Sequence, residues 1–143
     1  GMSTIFAIIH VVTAVFIVGP MAILPMTAMR SLRAGQAGQV RSLAKSTTLF
    51  TLLSLIPFIA GFGLMGMYKI PFDRTWIWLS IVLYLVAFLI ALLMVVPSMR
   101  RAAAQLEASG SDTQTGGYGM IAAGSGIVSL LLLAVVVLMS WKP

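Results

Sequence analysis

The 143-residue chain has no cysteine, one histidine and three carboxylates, and each shortage removes a class of chemistry. Without cysteine there is no disulfide framework, no thiolate metal centre and no thiol nucleophile. The three acids, Asp73, Glu107 and Asp112, all fall in the short polar stretches between apolar runs. None can pair with another for acid–base work or line a proton path through apolar surroundings. His10 is left as the only side chain suited to act as a base near neutral pH. A hydrolytic nucleophile needs such a base beside it, and Thr13 and Ser129 are the nearest hydroxyl candidates by depth.

What is present is apolar. Hydrophobic residues make up 60% of the chain and charged residues 8%, and the mean hydropathy is +1.08. The charged groups punctuate four apolar runs of about 20 residues or more, enough to cross a hydrocarbon core of roughly 30 Å as helix. The runs predict helices over Thr4 to Met29, Thr47 to Tyr68, Thr75 to Met99 and Tyr118 to Trp141. The fold class expected is all-α: a polytopic membrane protein forming a four-transmembrane-helix bundle, with residues 1–143 as one transmembrane domain.

Charge orients the bundle. The stretch RSLRAGQAGQVRSLAK between the first two spans carries Arg30, Arg33, Arg41 and Lys45 without an acid, and Arg100 and Arg101 open the stretch after the third span. Both belong on the cytoplasmic side, which leaves Lys69, Arg74 and Lys142 outside with both termini. Tyr68, Trp76, Trp78 and Trp141 then fall at the outer boundary, where amphipathic rings prefer to sit. This topology also accounts for the net charge of +6, so a nucleic-acid partner is not expected. The first span is not read as a cleaved signal peptide, because its basic residues follow the apolar run instead of preceding it.

Helices in lipid gain no hydrophobic driving force by associating, so small residues should mark their seams. Candidate packing positions are Gly61, Gly63 and Gly66 in GFGLMG, beyond a stripe of Thr47, Thr51 and Ser54, and Gly119, Ala122, Gly126 and Ser129 in the last span. The glycines of GFGLMG lie inside a lipid-length run, not between a strand and a helix, which argues against a phosphate loop. Pro20, Pro25, Pro57 and Pro97 each remove a backbone donor and should bend their helices. Pro25 before Met29 and Arg30 echoes Pro97 before Met99 and Arg100, a hint of a two-plus-two duplication. The Gly-, Ser- and Thr-rich stretch ASGSDTQTGGYG, residues 108–119, reads as a flexible connector.

His10 shares a helical face with Ala7, Ala14, Ile17 and Met21, and three readings of it stand open. It can be a neutral imidazole hydrogen-bonded to a neighbouring helix. It can ligate haem b axially, with Met65 at similar depth or a symmetry-related His10 as the other ligand. Ten methionines, among them Met21, Met26, Met29, Met94, Met99 and Met120, also suit soft copper(I).

Three segments together, HVVTAVFIVG (His10 to Gly19), PFIAGFGL (Pro57 to Leu64) and WIWLSIVLY (Trp76 to Tyr84) leading to VVPSMR (Val95 to Arg100), carry a resemblance. They resemble a bacterial family of predicted four-helix integral membrane proteins of unknown function, which implies residence in the cytoplasmic (inner) membrane. The spacing of His10 and Gly19 is also similar to the first helix of the copper-resistance D family and of HemJ-type protoporphyrinogen oxidases. In the latter, the resemblance would make His10 a haem ligand. The chain departs from that pattern in having Phe16 where those helices often carry tryptophan, and in having no second histidine.

The reading that follows is a non-enzymatic interaction or accessory subunit of a membrane assembly. Its expected partners are the lipid bilayer and either another membrane protein or a second copy of the chain. The alternatives are a haem-binding redox or porphyrin-handling protein centred on His10, and a homodimeric transporter or channel for a neutral solute or copper.

Overall fold

The computed structural model describes residues 1–109 and 118–142. These are helical almost throughout, with no strand among them. In chain order the elements are α1 (Met2–Thr13), a π-helical turn (Ala14–Val18), α2 (Gly19–Arg33), α3 (Ala37–Leu53), α4 (Leu55–Met67), α5 (Thr75–Ile90), a second π-helical turn (Ala91–Val95), α6 (Val96–Ser109) and α7 (Tyr118–Trp141). They join into four rods long and apolar enough to cross a membrane: Thr4–Arg33, Ala37–Met67, Thr75–Ala108 and Tyr118–Trp141. The centre of the Gly/Ser/Thr-rich connector, residues 110–117, lies outside the described residues.

Helix continues well past the apolar runs. α2 runs on to Arg33 and α3 starts at Ala37, so most of RSLRAGQAGQVRSLAK is helical and the first connector shrinks to residues 34–36. α2 ends in a Schellman motif: Gly35 N–H bonds to Leu32 C=O at 3.1 Å and Gln36 N–H to Ser31 C=O at 2.9 Å. The motif needs a left-handed residue after the cap, and Gly35 supplies it at φ 74°. α4 ends the same way, with Lys69 N–H on Gly66 C=O at 3.3 Å and Ile70 N–H on Met65 C=O at 2.9 Å. There the left-handed residue is Lys69 at φ 52°, a conformation that carries a steric cost for a side chain with a Cβ.

Proline shapes three of the rods. Each π turn stops two residues short of a proline, Val18 before Pro20 and Val95 before Pro97. A proline ring pushes on the carbonyl one turn earlier and offers it no donor, and a widened turn relieves that push. The second rod instead turns at Ser54, three residues before Pro57. Pro25 sits within uninterrupted α2. The structural counterpart of Pro97 is therefore Pro20, not the Pro25 of the sequence echo.

The breaks divide the bundle. At the Gly35 end, α2, α3, α6 and the first half of α7 pack together around Met21, Ala28, Val40, Ala44, Val95, Met99, Ala102, Ala103 and Ile121. Several of these are alanines, as close approach of helices in lipid requires. At the Tyr68 end the rods fork, with α1 packed on α4 and α5 on α7. Lys142 Nζ stands 5.5 Å over the Trp76 ring and ties the end of α7 to the start of α5.

Candidate functional site

His10 lies on the α1 side of the fork, and its neighbours explain its place in an apolar helix. Its Nδ1 is 2.7 Å from the carbonyl oxygen of Pro57. A carbonyl can only accept, so Nδ1 carries the proton and donates. The lone pair then resides on Nε2, which has no hydrogen-bond partner among the described residues. Gly61 makes the approach possible: a Cβ there would stand 3.1 Å from His10 Cε1. Two residues along, a Cβ on Gly63 would meet the ring of Phe6, which lies one turn before His10 on α1, at 3.0 Å. Two glycines of α4 therefore serve as beds for two α1 side chains, and α1 is held by a hydrogen bond as well as by shape.

Met65 lies on the α4 face of Pro57 and Gly61, one turn beyond Gly61, and is partly buried. The two hydroxyls expected near the depth of His10 donate to carbonyls of their own helices. Thr13 Oγ1 donates to the Ile9 carbonyl, and Ser129 Oγ donates to the Ser125 carbonyl at 2.8 Å. The methionines are spread between core and surface, with Met29, like Met65, partly buried. Met21 and Met99 are fully buried in the core, whereas Met26, Met94 and Met120 are exposed on the apolar surface. No group of three or more His, Cys, Asp or Glu that could hold a metal ion occurs among the described residues.

A second polar feature follows the inner face of α3 up to the fork. Thr47 Oγ1 donates to Leu43 C=O at 2.7 Å, and Thr51 Oγ1 to Thr47 C=O at 2.6 Å. Ser54 Oγ donates to Thr51 C=O at 2.5 Å and lies 2.5 Å from the Tyr84 hydroxyl on α5. With its own proton committed, Ser54 accepts from Tyr84, so every hydroxyl in the series has a partner. The Tyr84 ring stacks on Phe58, with centroids 4.6 Å apart and planes at 19°. Phe62 meets Phe58 edge-on at 4.9 Å and stacks on Phe72 at 5.7 Å. Aromatic rings and one hydroxyl pair thus bridge α4 and α5, whose backbones stay apart.

The seam on α7 lies one residue round from the expected stripe. Buried positions are Ile121, Gly124, Ser125, Val128 and Leu132. Among the described residues, no neighbouring group lies within 4 Å of where a Cβ would stand on Gly119 or Gly126, and the same holds for Gly66 on α4. Ala122 and Ser129 are partly buried at the edge of the seam. Gly124, which the small-residue stripe passed over, is the close contact: its Cβ would fall 2.7 Å from Val95 Cγ2 in the second π turn. A spacing of three and four residues from Ile121 to Leu132 was the available signal, and an all-apolar helix obscures it.

Four rods of this length and hydropathy, with satisfied hydroxyls and small residues at their contacts, define a multi-pass integral membrane protein of the helical class. The family described as a predicted integral membrane protein, DUF2269, matches residues 4–143, and the chain belongs to it. That match takes in the fourth span as well as the three whose segments carried the resemblance. No curated protein and no solved structure matches the chain.

Proposed function

We propose that this protein is a non-enzymatic interaction or accessory subunit of a larger assembly in the bacterial inner membrane, with both termini outside. The carrying observation is the uneven use of its helices. In the first span 6% of the most apolar window is buried, against 28–33% in the other three. Beyond its bed on α4, α1 and the π turn that follows it present Ile5, Ile8, Val12, Val15 and Phe16 outward. A bundle complete at one end and forked at the other leaves one helix free to pack against a further transmembrane helix. The excess of basic residues at the Gly35 end supports placing that end in the cytoplasm.

Photo-cross-linking in intact membranes tests this, with the reactive residue at Val12 on α1 or at Phe16 in the π turn after it, and at Leu133 on α7 as the reference. A discrete protein adduct from the Val12 and Phe16 sites and none from Leu133 is the expected result. Adducts with lipid alone at all three sites would sink the proposal, and a self-adduct would make the partner a second copy.

One observation favours a second reading, haem binding at His10. Metal-ligating imidazoles commonly donate their other N–H to a backbone carbonyl, which fixes the tautomer. The Nδ1 bond to Pro57 does this and leaves Nε2 as the coordinating atom. A stoichiometric Soret band in the purified protein, absent from His10→Ala, is what this reading requires. A colourless protein that stays colourless when haemin is offered would end it.

A further inference from the structure

We infer that the Gly35 end of the bundle carries a collar that binds the headgroups of anionic phospholipids in the surrounding bilayer. Glu107 on α6 accepts from Arg41 on α3, with Oε1 2.7 Å from Nε and 2.5 Å from an Nη nitrogen. This pair sets the register of two antiparallel helices. Arg100, seven residues before Glu107, stands level with Thr48, seven residues after Arg41. The apolar run of the second rod begins at Thr47 and that of the third ends at Met99. Both apolar surfaces therefore stop at one plane, which the register shows and neither run shows alone.

The cations gather at and below that plane. α2 contributes Arg30 and Arg33, α3 contributes Arg41 and Lys45, and α6 contributes Arg100 and Arg101, all exposed. Arg41 is the one paired with a carboxylate among the described residues. Arg101 donates to the Ser98 hydroxyl at 3.2 Å and has no carboxylate partner among the described residues. Arg30, Arg33, Lys45 and Arg100 have no carboxylate partner among the described residues. The step from Arg100 down to the level of Arg41 is about 10 Å at the rise of an α-helix. A headgroup layer is about 5–8 Å deep, and long basic side chains extend to reach it.

The arrangement favours lipid over a soluble polyanion. α2, α3 and α6 pack on one another through Ala28, Val40, Ala44, Ala102 and Ala103, which turns their cations outward around the circumference. Charges spread around a helical bundle at the edge of its apolar surface face the phosphates of neighbouring lipids. A flat end-on patch, as a nucleic acid would need, is not what these three helices build. The inference does not depend on which leaflet holds this end.

The test is native mass spectrometry of the detergent-purified protein titrated with equal amounts of phosphatidylglycerol and phosphatidylcholine. The parent should retain phosphatidylglycerol preferentially. Each neutralised cation should lower that preference about fivefold, so single Gln variants should step downward and Arg30→Gln/Arg33→Gln/Lys45→Gln/Arg100→Gln should lose it. Lys69→Gln/Arg74→Gln/Lys142→Gln, at the opposite end, should keep the parent's preference. Arg30→Lys/Arg33→Lys/Arg100→Lys keeps the charge and should bind as the parent does, which separates charge from misfolding. Equal retention of both lipids by the parent, unchanged preference in the four-site Gln variant, or equal loss in the opposite-end control would overturn the inference. So would displacement of bound phosphatidylglycerol by a soluble oligonucleotide at physiological salt.

Discussion

Replacing Tyr84 by phenylalanine removes one oxygen from the middle of the bundle and leaves the ring stacked on Phe58. Ser54 Oγ has given its proton to the Thr51 carbonyl, so the Tyr84 hydroxyl is the donor in the 2.5 Å contact between them. Both side chains are buried, Ser54 fully and Tyr84 to 7% relative exposure, so water does not replace what is lost. Interhelical hydrogen bonds in membrane proteins contribute about 0.6 kcal/mol on average and up to about 1.7. A dry pair at this distance belongs in the upper part of that range, and Tyr84→Phe should cost about 1 kcal/mol. Ser54→Ala should cost more, about 1–3 kcal/mol, because it leaves the tyrosine hydroxyl buried without an acceptor. The double variant should recover part of the sum, with a coupling of about 1 kcal/mol. Reversible unfolding in mixed detergent micelles with increasing dodecyl sulfate measures all four proteins. A Tyr84→Phe variant within about 0.3 kcal/mol of the parent, with costs that simply add, would refute the assigned donor and the bridging role of the pair.

Three further outcomes are expected. Gly124→Ala should destabilise by about 1–3 kcal/mol through overpacking, since its Cβ would lie 2.7 Å from Val95 Cγ2; Val95→Ala in the same chain should restore most of the loss in the same unfolding assay. Lys69→Gly should stabilise by about 1 kcal/mol by relieving the left-handed backbone, whereas Lys69→Ala should not, and thermal unfolding in detergent distinguishes them. Glu107→Gln breaks an ion pair whose side chains are 49% exposed on both sides, so it should cost less than about 1 kcal/mol at low salt, and the difference should fade towards about 1 M salt in a stability series.

The basic stretches illustrate why helix boundaries were harder to read than spans. RAAAQLEAS is made almost wholly of strong helix formers, and Leu32, Val40 and Ala44 recur at positions that a helical pair buries. Local propensity therefore favoured helix where charge alone suggested a connector. Gly35 was a visible stop signal, but Lys69 in the equivalent position of α4 was not, because nothing in a lysine announces a left-handed turn. Prolines marked where helices would be disturbed, and packing decided how: a π turn before Pro20 and Pro97, a turn at Ser54 before Pro57, and none at Pro25. At His10 the sequence raised the question of a partner without naming one. The partner is a backbone carbonyl, and a carbonyl leaves no trace in the identity of its residue.

Composition and run length by themselves determined that this protein has four helices long and apolar enough to cross a membrane. An apolar run of that length has no other stable form in lipid, where each backbone group must be satisfied within its own helix. The meeting of particular residues was decided only in the tertiary structure: His10 with the Pro57 carbonyl, Tyr84 with Ser54, Gly124 with Val95, Arg41 with Glu107. Lipid is as apolar as the helices it surrounds, so hydrophobicity does not rank one face above another. The choice falls to shape and to single hydrogen bonds between residues far apart in the chain, and these exist only once the helices are side by side.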